Sequence, residues 1–131
     1  MPKLRHKIDP RPDLEAGYEL DVLVAREVMG WVKDEESHYW VDGERKIISV
    51  PSFSKEIEFA WEVVEKMESD GFRWMLTSRN PIMSDLKIIP CCRFLRYGDG
   101  VIVDDGIVDA PTAPLAICRA ALKAVDAQTP S

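Results

Sequence analysis

The sequence predicts an α+β fold in which a small, mainly antiparallel sheet is packed by three helices. Three observations carry this. Apolar residues recur at three- and four-residue spacing in three separate windows. Between those windows lie short alternating runs joined by turn dipeptides of hairpin length, which favours antiparallel pairing over parallel crossovers. A chain of 131 residues that is 46% apolar and 31% charged has the size and composition of one folded domain.

The first helix is expected over Gly17 to Met29, where Leu20, Val24 and Val28 recur and Leu23 widens the stripe. Gly30 stops it, because glycine enters the left-handed conformation that closes helices, and Trp31 folds back as a lid on the stripe. His38 to Val41 reads as a strand, Asp42-Gly43 as a hairpin turn and Lys46 to Val50 as the return strand, ended by Pro51. The second helix is capped by Ser54, carries Glu56 and Glu58 near its positive end, and presents Ile57, Trp61, Val64 and Met67 to the sheet. On that placement Trp61→Ala costs about 3–5 kcal/mol.

Asp70-Gly71 closes the second helix, and Phe72 to Thr77 alternates as a half-buried strand with Phe72, Trp74 and Leu76 facing inward. Ser78 to Pro81 is turn chemistry, while Asp85 to Pro90 fits helix or strand. Cys91 to Tyr97 and Val101 to Val108 form a hairpin around Gly98-Asp99-Gly100, bent at Asp105-Gly106. The third helix opens on Thr112 as cap with Pro114 in its first turn. Its stripe is Leu115, Cys118, Leu122 and Val125, and Ala116, Ala120, Ala121 and Ala124 add close-packing surface.

The organisation expected is a flexible basic leader over residues 1–16, one domain over 17–127 and a short tail over 128–131. Residues 1–12 carry Lys3, Arg5, Lys7 and Arg11 against Asp9, a net +3, which leaves −9 on residues 13–131 of the formal −6. An acidic folded part repels phosphate backbones and argues against general nucleic-acid binding. No apolar run has signal-peptide or membrane-spanning length, and three cysteines, two of them adjacent, do not make a disulfide framework. Free thiols in a reducing cytosol are the expectation.

Three segments, Leu20 to Trp31, Ala60 to Met67 and Thr112 to Ala124, resemble in content and order the hallmark segments of the phage ABA sandwich domain family. The resemblance spans roughly residues 18–126 and is weakest from Thr77 to Val108. It implies an alpha-beta-alpha sandwich and a phage or prophage setting. It carries no catalytic residue onto this chain. The N-terminal leader and the Cys91-Cys92 pair lie outside the family pattern.

Candidate chemistry is sparse. His6, His38, Cys91, Cys92 and Cys118 are the soft metal-ligand types, but adjacent cysteines in a strand point to opposite faces, so no metal site or cofactor is expected. A thiol nucleophile beside His38 needs a lowered pKa, and Cys118 sits on an apolar stripe. Asp99, Asp104, Asp105 and Asp109 could hold a divalent ion, without the spacing of an EF-hand loop, and read more simply as a solvated hairpin. No phosphate loop, serine elbow or paired-histidine helix motif occurs.

The residues that helix stripes and caps leave unexplained are Tyr39, Trp40, Arg93, Arg96 and Tyr97, expected to form one binding surface across the two hairpins. Three function classes follow. The first is a noncatalytic accessory protein that binds a host or phage protein in host takeover or counter-defence. The second sequesters a small nucleotide-type signal. The third is a small metal-dependent hydrolase built on the Asp99–Asp109 cluster.

Overall fold

A computed structural model describes residues 14–79, 89–98, 101–104 and 107–128. Among the described residues the fold is α+β, with three helices packed on antiparallel strands, as the sequence predicts. Among the described residues, no helix is long and apolar enough to cross a membrane.

Helix α1 (Tyr18–Leu23) runs directly into a π-helical turn (Val24–Val28), in which the Met29 N–H bonds the Val24 carbonyl at 3.0 Å. Leu20, Val24 and Val28 are buried, as their spacing predicts. Gly30, at φ 77°, turns the chain so that the Trp31 N–H reaches the Ala25 carbonyl at 2.9 Å. The Trp31 ring is buried against Phe53, with ring centroids 5.7 Å apart.

The first sheet has the order β1 (Val32–Lys33), β2 (Trp40–Asp42), β3 (Arg45–Ile47). Two residues are too few for β1 to show a period, so the sequence gives no sign of it. The β1–β2 connection is organised by Asp34, whose carboxylate accepts from the Glu36 N–H at 3.1 Å and the Ser37 hydroxyl at 2.9 Å. Asp42 pairs with Arg45, so the hairpin turn is Gly43-Glu44, one residue later than expected, with Gly43 at φ 63°. The return strand is also earlier and shorter than Lys46 to Val50.

Ser54 does not cap the second helix. It is fully buried, and the Asp21 carboxylate accepts from both its N–H (2.8 Å) and its hydroxyl (2.7 Å). The same hydroxyl oxygen accepts from the Gly17 N–H at 2.9 Å. A buried carboxylate needs donors, and the loop before α2 supplies them, tying that loop to the start of α1.

Helix α2 (Ile57–Ser69) buries Ala60, Val63, Val64 and Met67. The stripe is therefore rotated from the expected one, and Ile57 and Trp61 are exposed. The physical reason is size: α2 packs on the alanine-rich α3, and Ala60 and Val63 allow an approach that an indole would block. At the end of α2, the Gly71 N–H bonds the Glu68 carbonyl and the Phe72 N–H bonds the Met67 carbonyl, both at 3.0 Å, with Gly71 at φ 97°. This is a Schellman closure, as Asp70-Gly71 predicts.

The second sheet has the order β4 (Arg73–Arg79), β5 (Ile89–Gly98), β6 (Val101–Asp104), and β7 (Val108–Asp109) also pairs with β5. The pairings Leu95↔Asp104 and Cys92↔Val108 leave one more residue on the returning chain than on β5. The bend expected at Asp105-Gly106 lies outside the described residues, as does most of Asp85 to Pro90. Cys92 and Phe94 join the main core, whereas Cys91 is buried outside it, as expected of neighbours in a strand.

Helix α3 (Ala113–Gln128) begins where the Thr112 hydroxyl accepts from the Leu115 N–H at 3.4 Å. Leu115 to Cys118, Ala120 to Leu122 and Ala124 are all buried, so this helix is apolar nearly all round. It packs on β5, β7, α1, the π turn and α2. The folded unit also begins before Gly17: Leu14 and Ala16 pack on the core, and Arg119 Nε donates to the Leu14 carbonyl at 2.9 Å. Residues 14–16 of the expected leader therefore belong to the domain.

Candidate functional site

The Schellman turn at Gly71 sends β4 back along α2 and brings side chains of the two elements together. Trp61 and Trp74 meet edge to face, centroids 5.5 Å apart and planes at 66°, the geometry ring quadrupoles favour. The Trp74 indole N–H donates to Glu68 Oε2 at 2.8 Å, which fixes the ring. Ile57 and Met75 are exposed on the same two elements. A shallow concavity of about 340 Å³ at the start of β4 is lined by Glu68, Phe72, Arg73 and Trp74.

Sequence reasoning missed this shelf because it assigned both indoles to the core. Trp61 is 38% and Trp74 36% exposed. The available signal was Ala60 beside Trp61: a small residue next to a large one on an apolar stripe marks where a neighbouring helix comes close.

The five residues expected to form a surface lie on two sheets, Tyr39 and Trp40 at β2 of the first and Arg93, Arg96 and Tyr97 on β5 of the second. Trp40 is a correction, since it is 4% exposed and part of the main core, where it cannot anchor a partner. Tyr39 is exposed and has Lys46 Nζ 6.0 Å from its ring centroid, within its own hairpin. Arg96 lies over the Phe72 ring at 5.6 Å, and Arg93 is half-buried opposite Met75. The backbone of Tyr97 pairs with Ile102. The described contacts of Tyr39 and Arg96 thus lie in different sheets.

Arg96 helps line a cleft of about 420 Å³ with Glu27, Val28, Gly30, Lys66, Asp70, Phe72 and Val125. Lys66 Nζ is 2.6 Å from Asp70 Oδ2 there, so its wall carries both cationic and anionic groups.

All three thiols are buried. Burial pushes the Cys92 thiol up to about 12 from an ordinary 9.0, with neighbouring Cys91 adding to the shift and the Arg93 backbone N–H opposing it. Burial likewise raises Cys118 well above 9.0, helped by the charge of Asp21. Raised pKa values disfavour a thiolate nucleophile at either position. Among the described residues no group of three or more His, Cys, Asp or Glu is placed to hold a metal. Of the expected aspartate cluster, Asp104 pairs with Leu95 and Asp109 with Cys91, while Asp99 and Asp105 lie outside the described residues.

With three helices on antiparallel strands and an aromatic shelf where α2 meets β4, the molecule is a small α+β sandwich domain. Residues 22–122 match the phage ABA sandwich domain, and the chain belongs to that family. It is also similar to a phage protein from Bacillus cereus ATCC 14579, known from a 2.0 Å crystal structure. The two are 26% identical with a TM-score of 0.55, over 89% of this chain and 92% of that one. No curated protein matches the chain. The protein is thus a small phage-associated domain.

Proposed function

We propose that this domain is a noncatalytic binding module that acts on a host or phage protein, in the cytoplasm of a bacterial host, in host takeover or counter-defence. The observation that supports this reading is the Trp61–Trp74 shelf, with Ile57 exposed one turn before Trp61 on α2. Tryptophan dominates interface hot spots, because a rigid ring buries a large area at small entropic cost. Glu68 already holds the Trp74 ring, so less ordering remains to be done on binding.

The test is capture from host lysate, with and without phage infection, by the tagged full chain and by a Trp61→Ser/Trp74→Ser variant shown to fold. The expected result is a protein retained by the parent and by Tyr39→Ala but lost by the double variant. Identical captured sets for parent and double variant sink the reading.

A second reading, sequestration of a small nucleotide-type signal, is supported by the Arg96 cleft, where Arg96 lies over the Phe72 ring and the lining also holds Lys66, Asp70 and Glu27. A nucleotide present at a hundredfold excess over its Kd should stabilise the protein by about 2.7 kcal/mol in a thermal-shift screen. Arg96→Glu should abolish the shift; a shift that survives it places the ligand elsewhere.

A further inference from the structure

Strand β4 is seven residues long and continuously registered on β5, from Arg73↔Leu95 to Arg79↔Ile89. Among the described residues nothing pairs with its other edge, and Arg73, Trp74, Met75, Thr77 and Ser78 are exposed. Proteins ordinarily blunt such an edge with proline, a bulge or a very short strand. Positions 73–79 contain no proline, and the ladder to β5 has no bulge.

We infer that β4 is a docking edge for an extended acidic strand of the partner protein, a proposal that rests on the binding-module reading above and specifies its partner. A strand added beside β4 continues the ladder through backbone hydrogen bonds, and its side chains alternate between the two faces of the sheet.

The two faces ask for different residues. On the α2 side an incoming side chain meets Trp74 and Trp61, with Glu68 bound to the Trp74 indole, so that position takes an apolar residue and repels a carboxylate. On the opposite side it meets the face of Arg73 and Met75, with Arg93 one strand further in. Arg73 is exposed and makes no side-chain hydrogen bond or ion pair with the described residues. In a chain of formal charge −6, positions 72–79 carry two arginines and no acid. The complementary strand therefore alternates apolar and acidic residues.

Charge also decides against a second copy of this chain. Antiparallel self-pairing centred on Leu76 sets position 73 opposite position 79, arginine against arginine.

The experiment uses the full chain and a capped seven-residue peptide alternating valine and glutamate. Two controls accompany it, one with lysine for every glutamate and one with proline at two central positions. Binding is read by tryptophan emission and by amide hydrogen exchange. The expected result is binding of the valine–glutamate peptide alone, slowed exchange within 73–79, and about tenfold weaker binding to Arg73→Glu. No binding at millimolar peptide overturns the proposal, as do equal binding of the lysine peptide or protection confined to other segments. A concentration-dependent dimer in sedimentation that protects β4 also overturns it, in favour of self-association.

The two readings fail separately. If a captured partner depends on Trp61 and Trp74 but leaves β4 exchange unchanged, the binding module stands and strand addition falls. If no captured protein depends on the two tryptophans, both fall.

Discussion

The four tryptophans divide into two pairs of similar chemistry and opposite environment. Trp31 and Trp40 sit in the core at 3% and 4% exposure, Trp31 against Phe53, while Trp61 and Trp74 face solvent and each other. The difference teaches that an indole on an apolar stripe enters the core only where the facing element leaves room. Around Trp31 the chain turns at Gly30 and the buried Phe53 ring packs on the indole, which is enclosed. On α2 the buried side is Ala60, Val63, Val64 and Met67, and the large Trp61 ring is left outside.

The comparison breaks most visibly under truncation. Trp31→Ala and Trp40→Ala should each cost about 3–5 kcal/mol in urea unfolding, the price of a large cavity in a packed core. Trp61→Ala and Trp74→Ala should each cost less, about 1–2 kcal/mol, since both rings are partly solvated. Equal losses at all four positions would erase the distinction.

The next effect concerns what holds the core pair's surroundings in place. Asp21→Ala leaves the buried Ser54 N–H and hydroxyl without their acceptor and should cost about 2–3 kcal/mol. Ser54→Ala, which keeps the backbone donor on Asp21, should cost less, and the reverse order would show that the hydroxyl dominates.

A smaller effect sharpens the surface side. A double-mutant cycle on Trp61 and Trp74 should give a coupling of about 0.5–1.5 kcal/mol for the edge-to-face contact. Zero coupling would mean that the rings are neighbours without interaction.

Two pH effects complete the series. Cys92 keeps its proton in the folded state up to about 12, whereas the unfolded chain releases it near 9.0. The unfolded state therefore binds fewer protons in that window, and stability should fall as pH rises through it. Cys92→Ala should flatten the slope. At Asp34 the sign is opposite: the Ser37 hydroxyl first, then the Glu36 N–H, lower its carboxyl below 3.8. Its contribution is present above 3.8 and lost as pH falls through the lower folded value. The small stability gap between the parent and Asp34→Asn should close there. A gap that persists at lower pH would point to a role beyond the carboxylate charge.

The elements themselves were largely legible. Leu20, Val24 and Val28, the glycine closures at Gly30 and Gly71, and Thr112 as a cap all follow from local periodicity and backbone chemistry. The π turn was not legible, because burial of the stripe hides whether one carbonyl is skipped. Ser54 misled for a related reason: serine before a helix reads as a cap, and only its long-range partner Asp21 shows otherwise. The aromatic shelf was not legible because it depends on which side of α2 meets α3, a choice made by alanines on two elements at once. Charge on β4 was in plain view, but its meaning needed the sheet order to show that β4 is an edge.

The position of α3 bears on how the chain folds as it is made. This helix touches both the other helices and the strands, yet it is the last of the described elements in chain order. On the ribosome, therefore, the strands and the first two helices must wait with their apolar faces open until the residues up to about Ala124 have cleared the exit tunnel. At translation rates of about 5–20 residues per second, that interval lasts seconds. A nascent chain stalled before Thr112 should therefore be sensitive to protease and bound by holdase chaperones, and the same chain stalled on an added C-terminal linker long enough to bring Gln128 out of the tunnel should be neither.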